Sequence, residues 1–417
     1  MAHVLEIAVA ARHERKPLVE IVRNFTPNWF TVTMGTGGLA LALNQFPLAV
    51  AGLAALSTGL WLANIVLFAV FAGLYTAHWT LFPREARLIF DHPVMSMFFG
   101  AIPMGLATIV NGFLAFGPPL IGDIAISIAH ALWWVDAAMS LACGLVVPYF
   151  MFTRQQHSLE KMTAVWLIPV VAAEVAAASG ALLVPHLSAA EAFAVLMLGY
   201  GLWAYSVPLA MSILVLLVLR LVLHKLPDRD VGASAWLALG PIGTGALGLV
   251  LLGTDAPAVF AAQGLAGVGD VAFGLGVIGG TVLWGYGAWW LLLAALKTVR
   301  YLRAGLPFNL GWWAFTFPLA VYSLATLALA HVTHLALFSV ASTILVACLS
   351  LFWIVVTVGT AHGAWRGHLF VAPYLKGNNA VRNSWHGQSR QRESADQSTS
   401  SASVRGEWMR TPPISRS

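Results

Sequence analysis

Two carboxylic acids lie deep in apolar sequence, and they are the first residues here that could do chemistry. Glu174 sits in VWLIPVVAAEVAAASG, five residues after Pro169, and Asp136 follows Trp133 and Trp134. An ionisable side chain inside a long apolar segment is costly and marks a functional site by default. For Glu174 the chemistry would be a proton-linked gate, or a site whose charge state sets conductance. The plainer alternative is an acid hydrogen-bonded to a neighbouring helix. Asp136 fits better as a partner for a Ser, Thr or His between helices. The histidines give no metal pair on one helix face apart from His331 and His334, which read as residues at the end of an apolar stretch. Cys143 and Cys348 lie far apart in apolar sequence, and no Cys-x-x-Cys or Cys/His cluster is present, so neither a disulfide framework nor a metal site is indicated. Gly274, Gly276 and Gly279 complete a G-x-G-x-x-G, but it falls inside an apolar stretch with no βαβ unit around it, and close helix packing explains it better than a dinucleotide. With no Walker A, Ser/His/Asp or zinc-protease pattern, the reading is not an enzyme and carries no cofactor.

The elements that must hold these residues follow from composition. The chain of 417 residues is 59% hydrophobic and 9% charged, against about 25% charged in a soluble domain, and its mean hydropathy is +0.80. Ten apolar stretches lie at roughly 28–47, 51–77, 94–116, 125–151, 164–185, 191–222, 233–253, 269–296, 311–331 and 336–363. Each is long enough to cross a bilayer, which takes roughly 20 residues. The expected fold is therefore all-α and integral to the membrane, with ten transmembrane helices.

Charge fixes the orientation. The 22 Lys and Arg residues fall in the N-terminal segment, in alternate loops and in the C-terminal tail, and the loops near 44–50, 117–125, 184–190, 253–270 and 331–335 have none. Basic short loops stay on the cytoplasmic side, so both termini are expected there, in a cell membrane (plasma or bacterial inner). The same rule accounts for the net charge of +5 without any nucleic-acid partner. Residues 1–26 read as a cytoplasmic arm, 27–370 as the membrane domain, and 376–417, Ser-rich and poor in aliphatics, as a disordered cytoplasmic tail.

The odd-numbered stretches share a pattern that the even ones lack. Pro103, Pro169, Pro241 and Pro318 stand in the third, fifth, seventh and ninth, spaced 66, 72 and 77 residues apart, and the first has Gly35, Gly37 and Gly38 instead. Small residues follow each. This is the signature of five copies of a two-helix unit. Proline within a helix removes a hydrogen bond and kinks it, which a membrane tolerates only where protein or a watery cavity satisfies the freed groups. Five kinked helices would then ring a central path, with Gly35, Gly37, Gly105, Ala172, Gly240 and Gly243 as candidate lining. The even stretches, richer in Leu, Val, Ile and Trp, would face lipid. Glu174 and Asp136 are the acids deep in the spans and no Lys or Arg stands at mid-span, so such a path would be nearly neutral. It would hold an anion weakly, through backbone N–H groups and helix ends, as throughput requires.

The segments NFTPNWFTVTMGTGGLALAL (24–43), HPVMSMFFGAIPMGLATIVNG (92–112), TAVWLIPVVAAEVAAASG (163–180), FNLGWWAFTFPL (308–319) and LFWIVVTVGT (351–360) resemble the tellurite-resistance/dicarboxylate transporter family, which includes the slow-type anion channels. PMGLATIVNG, FNLGWWAFTFPL and LFWIVVTVGT look most like its sulfite-pump branch. The resemblance implies five helical hairpins around a pore, a homotrimer with one pore per protomer, and a pore-closing phenylalanine four residues after the second Trp of W-W-A-x-x-F, which is Phe317. It also implies transport of small anions: sulfite efflux first, with chloride-like anions, and proton-coupled uptake of a C4-dicarboxylate such as malate or succinate as the alternative. Glu174 departs from what a purely passive anion channel needs, and would serve that alternative.

Overall fold

The computed structural model describes residues 16–375. It divides after Val371. The described part of the smaller unit, 372–375, is a single turn closed by Leu375 N–H on the Ala372 carbonyl at 3.1 Å. The tail expected over 376–417, and residues 1–15 of the arm, lie outside the described residues.

The larger unit is all helix among the described residues. We number its long helices α1 (Phe30–Asn44), α2 (Leu53–Leu81), α3 (Ala101–Ile121), α4 (Ile124–Thr153), α5 (Ile168–Leu183), α6 (Ala189–His224), α7 (Leu239–Ala261), α8 (Ala266–Arg303), α9 (Phe317–Thr333) and α10 (Ala336–Trp365). Nine of these segments are long and apolar enough to cross a bilayer. The exception is α1. At 15 residues it spans about 22 Å, at 1.5 Å per residue, against a hydrocarbon core of about 30 Å, and Thr and Gly dilute its apolar content. It is buried along almost its whole length, so protein rather than lipid surrounds it.

Burial separates two layers. The apolar windows of α3, α5, α7 and α9, with the turns leading into them, are 67–94% buried, and those of α2, α4, α6, α8 and α10 only 17–33%. The inner helices pack in a closed order, α1 on α3, α3 on α5, α5 on α7, α7 on α9, and α9 back on α1. The outer helices expose Val66, Leu145, Val215, Ile278 and Ile344, side chains that suit hydrocarbon and would be costly against water.

Tryptophan binds the layers together. From each outer helix one indole donates into the inner helix that follows: Trp61 to the Ile109 carbonyl at 3.3 Å, Trp133 to Ala176 at 2.8 Å, Trp203 to Gly245 at 2.9 Å, and Trp284 to Thr326 Oγ1 at 2.9 Å. The fifth, Trp353, donates to Thr36 Oγ1 at 3.1 Å and so ties the last helix to the first. Three of the five rings rest on a glycine: a Cβ at Gly112, Gly180 or Gly248 would run into Trp61, Trp133 or Trp203.

The prolines work differently from the sequence expectation. Pro103, Pro169, Pro241 and Pro318 do not kink α-helices in their interior. Each stands in the first turn of its α-helix, directly after a 3₁₀ segment: Met95–Gly100, Ala164–Leu167, Arg229–Ala238 and Leu310–Phe315. The 3₁₀ turn Pro27–Trp29 leads into α1 in the same way. The first turn has N–H groups without intrahelical partners, so proline sacrifices nothing there and its fixed φ suits the helix. Prolines inside α-helices lie elsewhere, as at Pro148, Pro208 and Pro257. Gly274, Gly276 and Gly279 lie within α8, and a Cβ at Gly276 would strike the Leu249 carbonyl, so close packing of α8 on α7 accounts for them.

Candidate functional site

The five 3₁₀ segments converge at one end of the inner ring, and between them opens a cavity of about 360 Å³. Its polar side chains are Asn28, Thr31, Asp230, Ser234, Asn309 and His368, and its walls are otherwise apolar. No lysine or arginine lines it. Every Lys and Arg among the described residues stands in a segment at this same end, from Lys16 and Arg23 through Arg84, Arg154 and Arg300 to Arg366. Anions are therefore drawn toward this mouth by field and meet no fixed charge of opposite sign within it.

Local sequence holds the mouth in shape. Asn309 Oδ1 accepts from Gly311 N–H at 2.8 Å and caps its 3₁₀ segment, while its Nδ2 donates to the Asp230 carbonyl at 3.0 Å across the rim. Thr163 caps Ala164–Leu167 through Val165 N–H. His92 Nδ1 accepts from Val94 and Met95 N–H at 3.2 and 3.1 Å, and burial pushes this imidazole below its ordinary range. On the arm, Arg23 makes a bidentate pair with Glu85 at 2.7 and 2.6 Å.

The cavity ends at one level. Met34 of α1, Met104 of α3, Val171 of α5, Gly240 and Pro241 of α7, and Phe317 and Pro318 of α9 border it, and no residue one turn further along these helices does. Phe317 is 4% exposed and stands at the α9 N-terminus beside Gly38.

Of the residues singled out from sequence, the cavity thus gathers Phe317, Pro318, Gly240 and Pro241. The other candidate lining residues do not border it. Gly35 is pressed against Trp313 and Thr316, Gly37 against Thr108 and Asn64, Gly105 against Thr33 and Phe68, and Gly243 against the Tyr322 backbone. Their smallness serves helix contact. Ala172 is buried in α5, and Pro103 and Pro169 are buried without bordering the cavity.

Glu174 is fully buried between α5 and α7. The Thr244 hydroxyl donates to its Oε1 at 2.5 Å and also stands 2.6 Å from the carbonyl of Gly240, which borders the cavity. The acid is one hydroxyl removed from the vestibule wall. Asp136 is as deeply buried in α4, but the interhelical hydrogen bond expected of it is not formed: neither oxygen has a partner among the described residues, nor does Ser140 Oγ one turn on. His331 and His334 are exposed at the end of α9, and Cys348 is exposed on α10. Asp230, Asn309 and His368 were missed from sequence because they lie in rim segments outside the apolar stretches, and Ser234 because it stands at the very start of one. A visible signal was the Asn309-x-Gly311 cap ahead of Trp312 and Trp313.

A closed ring of buried helices with a one-sided vestibule, jacketed by helices whose outer faces are apolar and exposed, defines a multi-pass membrane protein. The chain belongs to the voltage-dependent anion channel family, whose model matches residues 24–361, the same family of anion transporters that the odd-span segments resemble. It is 36% identical over 371 residues to a sulfite efflux pump of Trichophyton rubrum, covering 88% of this chain and 98% of that one. It is 37% identical over 352 residues to a sulfite efflux pump of Arthroderma otae, covering 84% and 93%. A malic acid transport protein of Schizosaccharomyces pombe is 25% identical over 317 residues, covering 72% and 70%.

Proposed function

We propose that residues 27–370 form a pore that passes small anions, sulfite foremost, outward across a cell membrane, with Phe317 as its gate. The observation that carries this reading is the single level at which the vestibule closes, with Phe317 set there by the 3₁₀-to-α junction of α9. The positive-inside rule makes the basic end cytoplasmic. A negative-inside potential then drives a monoanion outward by about 2.3 kcal/mol per 100 mV. The names of the fungal efflux pumps support sulfite, chloride-like anions fit the same largely apolar path, and a homotrimer with one pore per protomer is the assembly this reading carries. In proteoliposomes, potential-driven sulfite or chloride flux should rise several-fold in Phe317→Ala. Unchanged or reduced flux in a folded variant would remove the gate.

One observation favours a second reading, proton-coupled C4-dicarboxylate uptake. Glu174 is an acid joined through Thr244 to the vestibule wall, and the yeast malic acid transport protein is among the relatives. Under that reading malate flux requires a pH gradient, and Glu174→Gln abolishes the dependence. Under the efflux reading Glu174→Gln leaves potential-driven sulfite flux largely unchanged.

A further inference from the structure

A glycine is called for where φ is positive, or where a neighbour stands too close for a Cβ. The positive-φ glycines among the described residues all lie outside the inner helices. The inner-helix glycines Gly35, Gly37, Gly105 and Gly243 answer to the second need, as do Gly112 and Gly180 beneath their tryptophans. Gly240 answers to neither. Its φ is ordinary, and a Cβ built on it would meet nothing within 4 Å. It is nonetheless buried in α7. Among the described residues it is the one buried glycine with open space before it. Alanine would serve the helix better, so the missing side chain serves the space. That space is the vestibule, which Gly240 borders.

Gly240 also holds the same station as Phe317. Ile102, Ile168, Gly240 and Phe317 each come directly before the first-turn proline of an inner helix. Ile168, Gly240 and Phe317 border the vestibule, and α7 packs on α9. The largest of the four side chains and the absent one therefore fall on neighbouring helices, at the level where the vestibule closes. A phenyl ring narrows the lumen from α9, and the bare backbone of α7 leaves room beside it.

We infer that Gly240 sets the aperture of the path beside Phe317, and with it the size of the anion that can pass. This role rests on the pore reading above and adds a second determinant to it: Phe317 closes the path, and Gly240 fixes the room left when it opens. A side chain at position 240 would enter the lumen without displacing a wall atom. It would narrow the path and leave the fold intact. The bare position suits an oxyanion such as sulfite, which is broader than chloride.

The test compares potential-driven sulfite and chloride flux through the full chain in proteoliposomes, at one pH, for wild type, Gly240→Ala and Gly240→Val. Gly240→Ala should melt no lower than wild type. A marked loss of stability would overturn the inference, because the Cβ would then meet neighbours. The sulfite-to-chloride flux ratio should fall several-fold in Gly240→Ala. In Gly240→Val it should fall by about tenfold or more, the scale on which a fitted apolar site discriminates one carbon. Adding Phe317→Ala to Gly240→Val should restore the ratio, since ring and side chain share one gap. An unchanged ratio in folded Gly240→Val overturns the role while leaving the pore reading in place. No flux through wild type defeats the pore reading and this role with it. Should Gly240→Val not be recovered folded, Gly240→Cys decides, in a chain with Cys143 and Cys348 replaced by Ala. A charged methanethiosulfonate added at the cytoplasmic side should modify it and cut sulfite flux, and a folded variant left unmodified overturns the open space.

Discussion

His92 holds the turn over Met95–Gly100 only while its Nδ1 is unprotonated, because that nitrogen accepts from two amides. Burial lowers its folded-state pKa below the ordinary value of 6.5. The sign follows: the unfolded chain takes up the proton first as pH falls. The contribution of His92 is thus complete above the unfolded value and is lost as pH drops through the folded one. Melting temperature measured between pH 7 and pH 5 should fall more for wild type than for His92→Asn, whose side-chain oxygen can accept in the same place. Parallel acid limbs in the two proteins would show that the cap is unrelated to acid sensitivity. At this scale the sequence was legible where a residue type is rare in its surroundings. Glu174 stands out in apolar sequence, but nothing in one dimension says that it faces Thr244 instead of the lumen. The same holds for the glycines: smallness signals close approach, but which partner approaches is a tertiary fact.

Among elements, the alternation of inner and outer helices was written in the proline and glycine spacing. The job of the prolines was not, because the 3₁₀ runs ahead of them carry no strong signature. The indole bonds were also illegible as a set, since the outer helices hold many tryptophans and only the folded ring shows which five bond the inner helices. Their value is testable. Trp133→Phe removes one hydrogen bond and keeps most of the packing, so it should cost about 0.6–1.7 kcal/mol, the range for hydrogen bonds between membrane helices. Gly180→Leu drives a branched side chain into the same indole and should cost about 1–3 kcal/mol as overpacking. Thermal or denaturant unfolding in detergent would order the two, and a neutral Gly180→Leu would mean that Trp133 does not rest there in the folded protein. The pair should be non-additive, since both act on one contact.

Across the whole molecule, the basic residues sort to the end where the vestibule opens, so the charge pattern already marked the mouth before any helix was placed. What it could not give is the short first helix, which packs on α2 and α3 and is also met by α9 and α10, the last helices in sequence. That helix has a consequence for how the protein is made. Ribosomes deliver α1 first and α10 last, yet Trp353 of α10 bonds Thr36 of α1, 317 positions away in sequence. A nascent chain therefore exports a first helix that is too short and too rich in Thr and Gly to settle in lipid alone, and must shelter it until the final hairpin arrives. Chains stopped after Leu335 should leave α1 open to cysteine-directed labelling from water, at a site such as Thr36→Cys, while the full chain protects it. Equal protection in both would mean that the first helix is seated without its last partner. The ring is thus a checkpoint on completeness: a truncated polypeptide announces itself to quality control through its own beginning.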